Sequence, residues 1–218
     1  MLETIIQGRA MMIPLMACSV LALAVLIDRV WAFYANSKID TRALRAQLMK
    51  LVRRGEIKGA ALLCASTPGP VSAVLLAGLQ SYAKVEKRTT ENLRMTVGEA
   101  MEDYTLHSMS AVEKRLWILS MVGNAAPLFG MAGTVLGMIK SFNKLAEAGL
   151  DAGAVGAGIA EALITTAAGL LIALGAVIPY SIFTSMAEEI ELEIDEASSE
   201  MLEFLATEAD RGGSDGAR

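Results

Sequence analysis

An ionisable side chain inside an apolar run is the first feature of this 218-residue chain that needs a chemical reason. Glu161 interrupts Ala152 to Ala187, 36 residues otherwise free of charge. A charge at the middle of a membrane span costs about 2.5–3.5 kcal/mol on insertion scales, so such residues usually face protein or water. Glu161 lies nine residues into the run, roughly 13 Å along a helix. The alternative is a place at the outer interface, where the carboxylate would cap the helix end. Thr165 follows at i+4 with Thr166 beside it, a polar stripe among Ala, Leu, Ile and Gly. Thr134 stands in a second apolar run, Leu116 to Ile139. It is eight residues from Phe142, and Thr166 is twelve from Ala154, roughly 12 and 18 Å of helix. In antiparallel spans the two hydroxyls would reach comparable depth and could line one path. A hydroxyl accepts and donates, so it can hand on a proton through water or coordinate a cation without carrying charge. The commoner state of any single helical threonine is a bond back to the i−4 carbonyl.

Those runs set the composition: 54% hydrophobic, 20% charged and 5% aromatic, against about 25% charged in an average domain. Ala10 to Ile27 adds a third run of 18 uncharged residues, beside the 24 of Leu116 to Ile139. A bilayer core needs roughly 20 apolar residues per helix. The pattern excludes an ordinary soluble domain, a disulfide scaffold and a nucleic-acid binder. It predicts an all-α integral membrane protein with three transmembrane helices. Gly130, Gly133 and Gly137 in the second span and Gly169 in the third recur at intervals that allow close helix packing. Pro127 and Pro179 should bend their helices. Ala22-Leu23-Ala24 has the small-x-small form of a signal-peptidase site, but one Arg and one Glu make a weak leader. The run to Ile27, then Trp31, Phe33 and Tyr34 at an interface, favours a retained helix. Cys18 and Cys64 lie in different environments, which argues against a disulfide, and His107 has no Cys/His cluster to make a metal site.

Charge orients the chain. Residues 28–115 carry 14 Lys or Arg against 9 Asp or Glu, and the stretch from Glu188 carries 2 against 11. Lys and Arg near span ends mark the cytoplasmic side, so Arg29, Lys38, Arg42, Arg45, Lys114 and Arg115 place the long loop inside. The plan is then a periplasmic 1–9, a first span 10–34, a cytoplasmic helical region 35–115, and a second span 116–142. An outer turn 143–153 and a third span 154–187 follow, the latter extending into the cytoplasm, and then an acidic tail 188–218. The basic loop and acidic tail share a compartment and could attract one another. Within the loop, helices are expected over Ile39 to Arg54, Ile57 to Ala65 and Val71 to Lys84, divided at Gly55 and at Thr67-Pro68-Gly69-Pro70. From Thr90 to Met121 no proline intervenes, which predicts one long helix rising into the second span, with Leu93, Val97, Ala100 and Tyr104 on its apolar face. Ile190, Ile194, Ala197, Met201 and Leu205 keep the helical stripe beyond the third span, although residues 190–194 also alternate like a strand. Asp210 to Arg218 reads as disordered. The loop has no GxxxxGK[ST], no HExxH and no supported carboxylate pair, so no enzyme is expected.

The text of the last two spans resembles the MotA/TolQ/ExbB family. Val122-Gly123-Asn124-Ala125-Ala126-Pro127-Leu128-Phe129-Gly130-Met131-Ala132-Gly133-Thr134-Val135-Leu136-Gly137-Met138 is similar to its G-x-x-AP-x-x-G-x-x-GTV-x-G-(I/M) stretch. Gly158-Ile159-Ala160-Glu161-Ala162-Leu163-Ile164-Thr165-Thr166-Ala167-Ala168-Gly169-Leu170 looks like its GIAEAL-x-x-TA-x-GL stretch. The three-span plan resembles the ExbB/TolQ branch, since MotA proteins typically have a fourth span.

The resemblance implies a homopentamer in the bacterial inner membrane, arranged around a central pore that holds two copies of a single-span ExbD/TolR/MotB-like partner. That partner's membrane aspartate would carry the ion, a proton or in some members sodium, and its passage would drive mechanical work. No cofactor is implied. By motif position Thr134 and Thr166 match pore-lining threonines and Glu161 a pore glutamate. Thr165 stands where alanine is common and adds a hydroxyl that could help coordinate sodium. Ala132 replaces a bulkier residue, and Gly175 takes a frequent proline position, with Pro179 one turn later. The other readings are a membrane scaffold without conduction and a sodium-driven version of the motor.

Overall fold

The computed structural model describes residues 11–36, 41–85, 90–148 and 152–215. Among these every regular element is a helix: α1 Met12–Asn36, α2 Thr41–Arg53, α3 Ile57–Ser66, α4 Pro70–Lys84, α5 Thr90–Val112, α6 Leu116–Ala148 and α7 Ala152–Asp215. Three are long and apolar enough to cross a membrane, through Met12–Tyr34, Leu116–Asn143 and Val155–Thr207. The helices take up most of the stretch expected as an outer turn, since α6 continues to Ala148 and α7 begins at Ala152. Two compact units divide the chain, Met1–Trp31 with Arg115–Thr184 and Ala32–Lys114 with Ser185–Arg218.

In the first unit each span buries one narrow stripe. On α1 it is Leu15, Cys18, Ala22, Val25 and Arg29, at steps of three and four. On α6 it is Leu119, Val122 and Ala126, and on α7 Ala162, Thr165, Ala173 and Ala176. The other faces expose Ile13, Leu23, Leu128, Val135, Leu163 and Leu171. Such an apolar surface is costly in water and is matched by lipid tails, which are as apolar as leucine.

The expected long helix from Thr90 to Met121 is broken. α5 stops at Val112 and α6 starts at Leu116. Arg115 at the joint has φ +69°, the one positive φ outside glycine among the described residues. A non-glycine residue in that region costs roughly 1–2 kcal/mol. Arg115 Nη1 meets Asp28 Oδ1 of α1 at 3.0 Å, and Asp28 Oδ2 also meets Arg29 Nη2 at 2.7 Å. The break therefore coincides with an ion pair to a residue far away in sequence, and no glycine or proline announces it.

The second unit holds α2 to α5 and the later part of α7. Leu44, Leu48, Met49 and Val52 form the buried stripe of α2, which ends where Gly55 takes φ +75°. Cys64 is buried on α3, and burial pushes its thiol pKa up to about 11. Both cysteines are free. Gly69 at φ +126° turns the chain into α4, and Ser72 Oγ lies 2.7 and 2.8 Å from Thr67 O and Gly69 O, which share its one proton. On α5 the buried stripe is Leu93, Val97 and Met101 rather than one reaching Tyr104. Tyr104 is exposed and meets the ring of His107, also exposed, edge-on at 5.8 Å. The stripe follows steps of four, which lead from Val97 to Met101 and leave Ala100 half-buried at its edge.

Residues 190–194 are helical, with Ile194 buried and Leu192 exposed. Ala197, Met201 and Leu205 continue the buried stripe. The attraction between basic loop and acidic tail takes a definite form: Arg45 donates to Glu196 Oε2 from Nη1 at 3.0 Å and to Glu200 Oε2 from Nη2 at 2.9 Å. Burial works against the Arg45 charge, and the two carboxylates outweigh it, so its pKa stands above the ordinary value. Arg53 lies over the Phe204 ring at 5.6 Å. The segment expected to be disordered from Asp210 is helical as far as Asp215. Adding a residue to an existing helix needs no new nucleus, so glycine-rich composition ends a long helix less sharply than it prevents a short one.

Candidate functional site

The contact between α6 and α7 is built from small residues in antiparallel register. A Cβ added to Gly130 would lie 3.1 Å from Thr166 Cα and 3.3 Å from Thr165 O. One on Gly133 would lie 2.6 Å from Thr165 Cγ2, and one on Gly137 2.7 Å from Ala162 Cβ. One on Gly169 would meet Ala126 O at 2.6 Å. At these four positions hydrogen is the only side chain that lets the helices approach so closely. The same contact extends to residues that sequence reasoning missed. Ser141 is buried, and its Oγ occupies the space a Cβ on Gly158 would need, while Gly123 faces Val177. Ser141 lies one turn past Gly137, so continuing the glycine series by four residues would have found it.

Thr166 Oγ1 crosses this contact and donates to Gly130 O at 2.8 Å. Gly130 makes that bond possible, because a side chain there would hold the two backbones apart. Thr165 is buried, with its methyl group against Gly133 and its Oγ1 donating to Glu161 O at 3.1 Å. Thr134 is half-buried, and its Oγ1 donates to Met131 O at 2.7 Å. Thr134 and Thr165 thus make the local backbone bonds usual for helical threonines, and Thr166 makes a bond between helices. Glu161 is half-buried, one turn before Thr165. Its Oε1 is enclosed and has no hydrogen-bond partner, one of two such buried side-chain oxygens among the described residues. Pro127 and Pro179 lie inside α6 and α7 without ending either helix. Each removes a backbone N–H and so frees the carbonyl four residues earlier, at Gly123 and Gly175. No group of three or more His, Cys, Asp or Glu among the described residues is placed to hold a metal ion.

Three helices of spanning length, two of them joined through glycine and threonine beside a buried carboxylate oxygen, define a multi-span helical membrane protein. Residues 66–196 match the MotA/TolQ/ExbB proton channel family. The chain belongs to that family. It is 30% identical over 197 residues to the putative biopolymer transport protein ExbB-like 1 of Synechocystis, covering 87% of this chain and 72% of that one. It is 27% identical over 177 residues to the biopolymer transport protein ExbB of Pseudomonas putida, covering 80% of this chain and 54% of that one. With the Tol-Pal system protein TolQ of Pseudomonas aeruginosa it shares 33% identity over 130 residues, 56% of each chain. The chain thus spans little more than half the length of the second and third of these relatives.

Proposed function

We propose that this chain is the channel subunit of an ion-driven motor in the bacterial inner membrane, coupling proton flow to mechanical work through a single-span partner of the ExbD/TolR type. In this reading five copies surround two partner helices. The N-terminus is periplasmic, and the basic region and acidic tail are cytoplasmic. Family membership supports the channel role. The observations that carry the assignment to particular residues are the unpartnered Oε1 of Glu161 and the bond from Thr166 to Gly130 O across the contact of α6 with α7. None of the three apolar runs, 10–27, 116–139 and 152–187, contains an aspartate, so in this reading the titrating carrier comes from the partner. Thr134 and Thr166 line the route, Glu161 sets its electrostatics, and Thr165 is a further hydroxyl beside them.

One charge falling through 100 mV releases about 2.3 kcal/mol, so a few ions are enough to drive a conformational change. Thr166→Ala and Glu161→Ala should each lower energy coupling at least about tenfold, the effect of losing one polar contact to a charged group moving along the route, with the complex still assembled by size-exclusion chromatography. Full coupling in both variants, or in threonine-to-valine variants, would point instead to a scaffold without conduction. Thr165 supports sodium as a second reading. Coupling that persists under a sodium gradient with a protonophore present would establish it, and coupling that collapses would establish the proton.

A further inference from the structure

A cavity of about 200 Å³ lies in the second unit, where α2, the turn into α4 and α7 meet the end of α1. Phe33, Leu44 and Ile190 give it apolar walls, and Glu189 and Glu193 of α7 bring two carboxylates to it. Glu189, Glu193, Glu196 and Glu200 recur at steps of four, three and four, so they share one face of the helix. Arg45 meets the later two. The earlier two have no ion pair among the described residues. One turn before Arg45 on α2 stands Thr41, half-buried and lining the same cavity. The place where a second cation of α2 would meet the acidic face is therefore held by a neutral side chain and open space. Like charges at i and i+4 on a helix repel, and a cation between them would remove that cost.

The walls decide the kind of cation. A calcium or magnesium ion wants six or more oxygen ligands, and no cluster of three or more acidic, His or Cys side chains among the described residues could hold a metal. Apolar walls suit hydrocarbon. Sites for drug-sized ligands run to about 300–1,000 Å³, so this cavity takes something smaller, a charged head with a few carbon atoms. A primary ammonium has three donors, to set against two carboxylates and the Thr41 hydroxyl. Phe33 is next to last in the Met12–Tyr34 span, and the apolar run from Ala152 closes at Ala187, two residues before Glu189. The cavity thus stands at the level where lipid headgroups begin. We propose that it binds a primary ammonium group on a short hydrocarbon body, supplied by the ethanolamine headgroup of a phospholipid or by a free alkylamine. The ammonium takes the seat of the missing cation beside Glu189 and Glu193. This site is separate from the ion route proposed above and does not depend on it.

The test uses the full chain purified from the membrane in a maltoside detergent, with n-butylammonium chloride as the probe and calorimetry as the readout. Wild type is expected to bind n-butylammonium saturably. Tetramethylammonium, which has no donor, should bind at least about tenfold more weakly, the weight of one hydrogen bond to a charged group. The double variant Glu189→Gln, Glu193→Gln should weaken n-butylammonium by at least the same factor. Glu196→Gln should leave it unchanged, because that carboxylate meets Arg45 and does not line the cavity. Thr41→Arg supplies the cation from the chain itself, and is expected to abolish binding with a melting temperature equal to or above that of wild type. Native mass spectrometry of the same preparations separates the two sources. Phosphatidylethanolamine retained by wild type, displaced by n-butylammonium and missing from both Thr41→Arg and the double variant identifies the lipid headgroup. Binding of n-butylammonium with no such difference in retained lipid identifies the free amine. Equal binding of the two cations, or full binding in the double variant or in Thr41→Arg, would overturn the site. So would a wild type that neither retains phosphatidylethanolamine nor binds n-butylammonium.

Discussion

A methyl group added to Gly169, where α6 meets α7, would lie 2.6 Å from the backbone oxygen of Ala126 and 3.2 Å from Gly130 Cα. One added to Gly78, where α4 packs in the second unit, would meet Met201 Cε at 2.5 Å and Met101 Sδ at 2.6 Å. The distances match, but the neighbours differ. Backbone atoms of a membrane helix cannot move without moving the helix, whereas methionine is unbranched and can swing aside. The first unit, whose outer surface is apolar, gains little from burying large side chains, because lipid is as good a solvent for them. Its helices are held by close backbone approach and by bonds such as Thr166 to Gly130. The second unit buries leucines and methionines, as a water-facing assembly does.

Gly169→Ala should break this comparison most sharply. It is expected to cost about 3 kcal/mol, the upper range for overpacking, read as loss of the assembled complex in detergent and a fall in melting temperature. Gly78→Ala should cost about 1 kcal/mol, the lower range for overpacking, with Met101→Ala restoring the space; an effect equal to that of Gly169→Ala would erase the distinction. Arg45→Met should cost about 0.5–1 kcal/mol, as exposed ion pairs do, and the difference should shrink in high salt. Glu196 and Glu200 are largely exposed, so a salt-independent loss would show that packing rather than charge holds α2 to the tail. Gly98→Ala is the smallest change. Its Cβ would find only Leu202 Cδ1 at 3.7 Å, and the gain in helix propensity, up to about 1 kcal/mol, should appear as a slightly higher melting temperature.

Much of this fold is legible in one dimension because its signals are local. Hydropathy locates the three spans, Gly55 and the Pro68-Gly69-Pro70 turn delimit the short helices, and the steps from Ile194 to Leu205 predict a helix over the acidic tail. The glycines and threonines of the site could be named for the same reason, since helical spacing assigns them to faces. Two of the features that escaped show why. The break between α5 and α6 coincides with Arg115 reaching Asp28, 87 positions earlier, and nothing in residues 113–115 marks it. Ser141 continues the four-residue step from Gly137, but its residue type gives no sign of the close contact with Gly158 that packing produces.

What the amino-acid order alone determined is the inventory: three apolar helices, one carboxylate inside the last, and hydroxyls at helical intervals from it. These follow from side-chain chemistry and the pitch of a helix, which need no partner. The tertiary structure decided how each polar group is spent. Whether Thr166 bonds to its own helix or to Gly130, and whether Glu161 Oε1 meets a donor, depends on which backbone comes within 3 Å. That proximity is a property of packing two helices in register, and no single stretch of sequence contains it.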